Sequence, residues 1–266
     1  AAASGSVAAS VADGHSVLSV RAFGTSAEVN DLLQAATETA HLVRAGKTRS
    51  VVPGTLSVDL AVRLEQPVLP WLSPGRVRMP IVKLGSRSQQ LCHELLLRAL
   101  ELDSPLTDEC FGPGLVPELL RTETLCAKSS LLSFTHNEPA VNVYTAGGDF
   151  SPHKDLQALT VLMPLTDATA YDGGGTAFWS APSDAASGLG TVDDAGDPTL
   201  VLRPPAGTAL IFGGDVTHAG LPVESGQRAV FVASFSRCCG GATGDAVEAV
   251  DAARRRENTM LEQLYT

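Results

Sequence analysis

The stretch NVYTAGGDFSPHKD, residues 142–155, carries the pattern that decides the fold. It ends in His153 and Asp155, two positions apart. On an extended chain, side chains two positions apart point to the same face. A neutral imidazole and a carboxylate on one face can both reach a single metal ion. The stretch therefore predicts a strand that leads into part of a metal site.

A second stretch, DVTHAGLPVESGQR at residues 215–228, supplies His218. Two histidines and one carboxylate form the facial triad that binds non-haem Fe(II) with coordination positions left open. A His-x-Asp pattern alone also occurs where a surface histidine lies beside an acid. Arg228 favours the metal site, since a guanidinium on the next strand could hold the far carboxylate of a dicarboxylate chelated to the metal.

The formal charges of such a site cancel. Fe(II) contributes +2, a bound 2-oxoglutarate −2, Asp155 −1 and Arg228 +1. Because uncompensated charge is costly in a buried site, a sum of zero agrees with the spacing argument.

Short β-rich runs separated by glycine-rich turns extend on both sides of these stretches, from about residue 130 to residue 237. Many short strands at this spacing are typical of a β-sandwich or barrel. The runs are LLSF, AVNVY, ALTVLMPL, TAFW, TLVLR, TALIF and AVFVASF.

Helical patterns flank this β core, with apolar residues recurring at helical spacing. The predicted helices are Ser26–Arg44, Ser86–Leu102, a shorter one near Val116–Cys126 and a terminal one from Asp245 to about Leu264.

The segments before the β core have other textures. Residues 55–64 alternate like a half-buried strand, and prolines between residues 67 and 80 indicate a loop-rich connection. Residues 1–25 begin with small and polar residues, and we expect them to be a disordered N-terminal segment. Residues 26–266 are expected to form a single domain.

Composition excludes several classes of protein. The 266 residues are 44% hydrophobic, which rules out a wholly disordered chain. A formal net charge of −10 disfavours nucleic acid as a partner. No apolar run approaches the roughly 18 residues of a membrane span. The five cysteines lack a CxxC pair, so reduced thiols are expected. With no recognisable targeting segment, we expect a soluble, intracellular protein.

Three groups of residues then match known motifs in order. Tyr-x-x-Gly-x-x-aromatic-x-x-His-x-Asp is met by Tyr144, Gly147, Phe150, His153 and Asp155. TVLMPL (160–165) is followed by Gly173–Gly175, Thr176 and Phe178. The closing group is Pro205, Gly207, Phe212, His218, Gly220, Pro222, Val223, Gly226 and Arg228. Through these segments the chain resembles the Fe(II)/2-oxoglutarate-dependent dioxygenases, in their prolyl 4-hydroxylase-like branch.

The resemblance implies an α+β protein whose mainly β core, about residues 130–237, is a double-stranded β-helix of the jelly-roll or cupin type. Fe(II) would be held by His153, Asp155 and His218. 2-Oxoglutarate would be bound by Arg228, with Tyr144 and Thr160 lining its pocket.

The activity implied is hydroxylation of an unactivated C–H bond with O₂, releasing succinate and CO₂, with ascorbate as a possible reductant. The substrate would be a peptidyl proline or a small molecule.

Two positions bear on this resemblance. Pro164 stands where many relatives carry a tyrosine, and a proline within a strand suggests an edge or a bulge. The carboxylate of Asp155 argues against halogenation, because related halogenases have a small residue there.

Several further residues are candidates for the substrate side. Trp179, Tyr171 and Asp172 are candidate substrate contacts, whereas residues 136–138 are expected to form a surface turn. The loop of residues 180–198 is either a lid or a tolerated surface insertion.

Two other functions stay open at this point. One is a catalytically silent β-helix protein that binds a ligand, and the other is a cupin-type metalloenzyme that does not use 2-oxoglutarate. Arg228 argues against both.

Overall fold

The computed structural model describes residues 5–12, 15–44, 75–121, 131–135, 137–180 and 196–237. The strand predicted over residues 55–64, the helix predicted over residues 245–264 and most of the loop 180–198 lie outside these ranges.

The described helices lie before the β core. They are α1 (Ser26–Arg44), α2 (Ser86–Glu101), α3 (Ser104–Phe111) and α4 (Leu115–Leu119). The bounds predicted for α1 are confirmed, and α2 ends one residue earlier than predicted. The sequence pattern did not predict α3. None of the helices in the described ranges combines the length and apolar character needed to cross a membrane.

Fourteen strands form within the described ranges. In chain order they are β1 (Gly5–Ala12), β2 (His15–Val20), β3 (Arg76–Pro80), β4 (Leu132–Phe134), β5 (Ala140–Tyr144), β6 (Phe150–His153), β7 (Leu159–Pro164), β8 (Tyr171–Gly173), β9 (Thr176–Phe178), β10 (Leu200–Leu202), β11 (Ala209–Phe212), β12 (His218–Gly220), β13 (Val223–Gly226) and β14 (Arg228–Arg237).

The strands assemble into a main sheet, a minor sheet and a small pair. The main sheet runs β1-β2-β11-β7-β14-β5-β3, with β4 also paired to β14. The minor sheet runs β10-β9-β12-β6, and β13 pairs with β8. Side chains from both larger sheets line one pocket between them. The predicted double-stranded β-helix is confirmed.

Strand alternation gives the main sheet two different faces. On β14, Phe231 and Phe235 are fully buried in the cluster that also holds the helices, whereas Arg228 and Val230 line the pocket. On β5, the pocket side is taken by Asn142 and Tyr144, while the alternate residues Val141 and Val143 face the helices. A period of two therefore assigns alternate residues to the core and to the pocket.

The helices α1 and α2 cover the outer face of the main sheet. Leu32 of α1 and Leu95 and Leu96 of α2 are fully buried in one cluster with Val141 and Phe231. The sheet is thus held rigid from behind, which fixes the positions of the pocket side chains in front.

The N-terminal expectation is wrong for residues 15–23. Strand β2 joins the main sheet, with Leu18 paired to Ile211 of β11. Val17, Val20 and Phe23 are fully buried. The segment shows no apolar–polar alternation because Val17 and Val20 lie on opposite faces of β2, Val17 in the cluster between the sheets and Val20 in the cluster under the helices.

Two further expectations are corrected. Residues 76–80 form β3, an outer strand of the main sheet, rather than part of a loop-rich connection. Pro164 lies on β7, between β11 and β14, rather than on an edge strand. It is the last residue of that strand, where its carbonyl still accepts a hydrogen bond from the Gly207 N–H at 2.9 Å and a missing donor costs little.

A capping box ties the start of α1 to α2. The Thr25 N–H donates to Glu28 Oε2 at 2.7 Å, and the Glu28 N–H donates to Thr25 Oγ1 at 3.3 Å. Arg98 of α2 donates to both carboxylate oxygens of Glu28, at 2.8 and 3.1 Å. Arg98 lowers the pKa of Glu28 to about 2, against the opposing effect of burial.

We predict that Glu28→Gln makes the free energy of unfolding less dependent on pH in acid. A carboxyl with a lowered folded-state pKa stabilises the fold above its unfolded pKa and loses this effect as the pH falls from about 4.5 towards 2. The variant should lose about 2 kcal/mol at pH 7 and much less at pH 2. Urea unfolding across this pH range measures it, with the exposed Glu38→Gln on the same helix as control. Equal losses at both pH values would contradict the prediction.

Candidate metal centre and its pocket

The minor sheet brings two imidazoles and one carboxylate together. His153 of β6 pairs directly with His218 of β12, and Asp155 follows two residues after His153. Asp155 Oδ1 lies 3.5 Å from His153 Nε2, and Asp155 Oδ2 lies 3.6 Å from His218 Nε2. One ligand atom from each residue falls within 4.8 Å of the others, close enough for one metal ion.

Both imidazoles are oriented by their own strands. His153 Nδ1 lies 2.7 Å from the Ser151 carbonyl oxygen, and His218 Nδ1 lies 3.1 Å from that of Val216. A carbonyl only accepts, so each Nδ1 carries the hydrogen and donates it. Each Nε2 is then left with its lone pair directed towards Asp155, which is the tautomer a metal ligand needs.

The carboxylate of Asp155 is buried, with a side chain only 5% exposed. Thr160 Oγ1 donates to Asp155 Oδ2 at 2.7 Å, and the Thr160 and Ser234 hydroxyls share a hydrogen bond at 3.1 Å. Burial raises the pKa of Asp155, but the two imidazoles and the Thr160 hydroxyl outweigh it and leave that pKa below its usual range. The group is therefore an ionised ligand at neutral pH.

Burial has the opposite effect on His218. It lowers the pKa of this imidazole to about 4, although Asp155 favours the charged form. His218 is consequently neutral at pH 7, so its Nε2 lone pair is available to a cation without prior loss of a proton.

Aromatic rings enclose this cluster. Phe150 stacks on His153 with ring centroids 4.1 Å apart, and Phe212 packs edge-on against His218 at 4.8 Å. The two imidazoles lie 4.3 Å apart. These ring contacts restrict the orientation of both imidazoles.

Arg228 lies at another part of the same pocket. Its side chain is buried, donates from Nη2 to Thr176 Oγ1 at 2.9 Å, and lies 5.3 Å from the Tyr144 ring centroid. The Arg228 Nε is buried without a hydrogen-bond partner. A Cβ at Gly220 would come 3.4 Å from the Tyr144 hydroxyl and 3.6 Å from Arg228 Nη1, so glycine keeps this end of the pocket open.

Of the residues predicted from sequence, the structure brings His153, Asp155, His218, Arg228 and Tyr144 to one pocket. Thr160 is placed behind Asp155 as its hydrogen-bond donor, rather than along the wall of the pocket.

The structure does not bring the three candidate substrate contacts to this pocket. Trp179 packs with Ala177 and Ala219 on the outer face of the minor sheet, and its Nε1 donates to the Gly196 carbonyl at 3.2 Å. Tyr171 is buried between the sheets, while the exposed Asp172 accepts a hydrogen bond from Ser225 at 2.6 Å. Alternation turned Phe178 inward and Trp179 outward, away from the mouth of the pocket.

Sequence reasoning missed a polar wall of the pocket formed by Arg78, Glu138 and Asn142. Glu138, expected on a surface turn, has a side chain only 3% exposed and forms an ion pair with Arg78. Burial and the nearby Asp155 raise the pKa of Glu138 above its usual value, against the opposing effects of Arg78 and the Ser234 N–H. The alternation of RVRMP (76–80) was the available signal, because it puts both arginines on one face of a strand.

Residues 139–236 match the model of the 2OG-Fe(II) oxygenase superfamily. No curated protein matches the chain.

Solved structures resemble it at low sequence identity. A viral collagen prolyl hydroxylase from Paramecium Bursaria Chlorella virus-1, in complex with 2OG, has 15% identity and a TM-score of 0.48, covering 86% of this chain and 99% of its own. A Pseudomonas putida prolyl-4-hydroxylase has 14% identity and a TM-score of 0.46, with coverages of 85% and 95%. HygX from Streptomyces hygroscopicus, with nickel and 2-oxoglutarate bound, has 12% identity and a TM-score of 0.48, with coverages of 85% and 85%.

We predict that Thr160→Val weakens divalent-cation binding by a factor of about 10–100, the usual effect of removing a hydrogen bond to a metal ligand. The substitution keeps the shape of the side chain but removes the donor to Asp155 Oδ2. Titration with Co(II) under anaerobic conditions measures the affinity. The exposed Thr199→Val is the matched control, and equal affinity in both variants would show that the hydroxyl does not support the ligand.

Proposed function

We propose, from the match of residues 139–236 to the 2OG-Fe(II) oxygenase superfamily model, that His153, Asp155 and His218 hold the iron while Arg228 binds 2-oxoglutarate. The protein is a 2-oxoglutarate-dependent dioxygenase. Its reaction is the hydroxylation of an unactivated C–H bond in a peptidyl proline or a small molecule, with release of succinate and CO₂.

The observation that carries the assignment of Arg228 is a buried cation in the same pocket as the His-Asp-His cluster. Among the described residues, Arg228 forms no ion pair, and its Nε has no hydrogen-bond partner. A buried guanidinium is costly without an anion, and its planar fork suits a carboxylate. The far carboxylate of 2-oxoglutarate would supply the missing charge and hydrogen bonds.

The donor set also fits the metal. Two neutral imidazole nitrogens and one ionised carboxylate oxygen are the ligands that non-haem Fe(II) takes, with a face left open for co-substrate and oxygen. The bond from Thr160 to Asp155 and the bonds from each Nδ1 to a backbone carbonyl hold all three groups ready to bind.

When bound, Fe(II) with 2-oxoglutarate and O₂ supplies the oxidising power of the reaction, and ascorbate would serve as an auxiliary reductant. The protein's own residues bind and orient the metal and the co-substrate, and they exclude water. Arg228 and Thr176 would anchor the co-substrate at one end, and Gly220 leaves room for it beside Tyr144. Phe150 and Phe212 shield the imidazoles. Pro164 offers no hydroxyl, so the hydroxyls available to the co-substrate here are those of Tyr144 and Thr176.

The decisive experiment measures 2-oxoglutarate consumption and succinate formation with Fe(II), ascorbate and O₂. We predict that His153→Ala and His218→Ala abolish turnover together with iron content. We expect Arg228→Ala to keep the iron but to weaken 2-oxoglutarate binding at least 100-fold, since a charge-assisted, bidentate bond is lost. The exposed Arg87→Ala, whose guanidinium pairs with Asp31, is the control.

Each alternative function gives a different result in this assay. A silent binding protein would bind ligand without forming succinate. A cupin-type enzyme that does not use 2-oxoglutarate would retain its activity in Arg228→Ala. If the protein with Fe(II) neither binds nor consumes 2-oxoglutarate, the proposal is wrong.

We predict that Gly220→Ala weakens 2-oxoglutarate binding and leaves metal binding unchanged. A Cβ at this position would stand 3.4–3.6 Å from the Tyr144 hydroxyl, the Phe150 Cβ and Arg228 Nη1, and so fill space without displacing any of them. The dissociation constant for 2-oxoglutarate should rise about tenfold, equivalent to about 1.4 kcal/mol. Calorimetry with Zn(II)-loaded protein measures it. Unchanged 2-oxoglutarate affinity would place the co-substrate elsewhere in the pocket.

A further inference from the structure

Arg78, Glu138 and Asn142 line the pocket but are not needed to hold either the metal or the co-substrate. Arg78 lies on the outer strand β3, directly paired with Asn142 of β5. The neighbouring row of the same strands carries Arg76 and Tyr144 and leads to Arg228 on β14. The polar wall is our name for Arg78, Glu138 and Asn142. It therefore lies one row beyond the proposed co-substrate anchor.

The hydrogen bonds within the polar wall occupy its acceptor oxygens and leave some of its N–H donors without an acceptor. Arg78 Nη2 donates to Glu138 Oε1, and the Ser234 N–H donates to Glu138 Oε2. Arg78 Nη1 donates to Asn142 Oδ1 at 3.4 Å. Among the described residues, Asn142 Nδ2 has no acceptor, and the guanidinium has N–H groups to spare. A surplus of donors facing a pocket suits a ligand that brings an acceptor.

The charges around the polar wall determine whether a charged or an uncharged acceptor group of a ligand fits there. Both oxygens of Glu138 accept hydrogen bonds, which is the arrangement of an ionised carboxylate, so the pair Arg78–Glu138 is neutral as a unit. The metal, Asp155, 2-oxoglutarate and Arg228 also sum to zero. A further carboxylate here would lie near both Glu138 and Asp155, and the Arg78 guanidinium beside it is already paired with Glu138. An uncharged carbonyl oxygen meets the donors without that cost.

We propose that the polar wall is a subsite for an uncharged amide of the primary substrate, whose carbonyl oxygen accepts hydrogen bonds from Asn142 Nδ2 and Arg78, with Glu138 cancelling the charge of Arg78. This inference rests on the proposed function, because it assumes that 2-oxoglutarate takes the Arg228 end. The amide belongs either to a peptide or to a small amide-bearing molecule. The subsite selects against the free acid of the same compound.

The test uses matched probes that differ only in this group: N-acetyl-L-proline N-methylamide against N-acetyl-L-proline, and the same two derivatives of L-leucine. Binding is measured by calorimetry on the full chain loaded with Zn(II) and 2-oxoglutarate. In the unsubstituted protein, at least one N-methylamide should bind tenfold or more tightly than its acid. In Glu138→Gln the uncompensated charge of Arg78 should bring that ratio to about one or below.

Asn142→Ala provides a second, milder variant. It should weaken N-methylamide binding about tenfold and leave the dissociation constant for 2-oxoglutarate unchanged. Asp31→Asn removes an exposed acid paired with Arg87 and is the matched control. It should change the binding of neither the N-methylamide nor the acid. Circular dichroism and 2-oxoglutarate binding establish that each variant is folded.

The outcomes separate the two proposals. If the unsubstituted protein does not bind 2-oxoglutarate, the proposed function itself is overturned. Three results obtained with intact 2-oxoglutarate binding would overturn the subsite alone. They are that no N-methylamide binds, that the acid binds more tightly than the N-methylamide, or that the ratio of the two affinities is unchanged in Glu138→Gln. An acetylated tripeptide amide that binds more tightly than the single-residue probe identifies a peptide as the source, and equal binding identifies a small molecule.

Discussion

The constraint on which the rest of this structure depends is the two-residue period of the strands in the main sheet. On β5 and β14, each residue must serve either the apolar cluster under the helices or the pocket between the sheets. Val141 and Phe231 belong to the first set, and Asn142 and Val230 to the second. A shift of one residue in register would bury Asn142 against α1 and expose valine to the pocket, so the packing of the helices also fixes the chemistry of the site.

The pocket accommodates several charged groups because all but one of them have polar partners within a short distance. Asp155 lies between two imidazoles and a hydroxyl donor, and Glu138 faces Arg78. Arg228 is the exception among these groups, with no anion beside it in the described residues. A buried guanidinium without a counter-charge favours the binding of a dicarboxylate over that of a neutral molecule. The same argument, applied where the charges already cancel, favours a neutral group at the polar wall.

Much of this arrangement could be predicted from the sequence, and the exceptions have physical reasons. The spacing of His153 and Asp155 reflects local strand geometry, which a sequence displays directly, whereas His218 and Arg228 were joined to them through the resemblance to family motifs. Helix α1 was predicted to its bounds because its apolar residues repeat over five turns. Arg78 and Glu138 meet only through the pairing of β3 with β5, and a contact over 60 residues of chain leaves no local pattern. Trp179 was misjudged because alternation gives two faces without saying which of them is the outer one.

The two orienting bonds of the imidazoles have a consequence for how this protein can change. His153 and His218 are each fixed by a carbonyl two residues earlier on the same stretch of chain, in the minor sheet. The polar wall comes from β3, β5 and the residues just before β5, at one edge of the main sheet. Substitutions that reshape the polar wall need not disturb the imidazoles. New substrates can therefore be acquired through an outer strand while the oxidising centre is inherited unaltered.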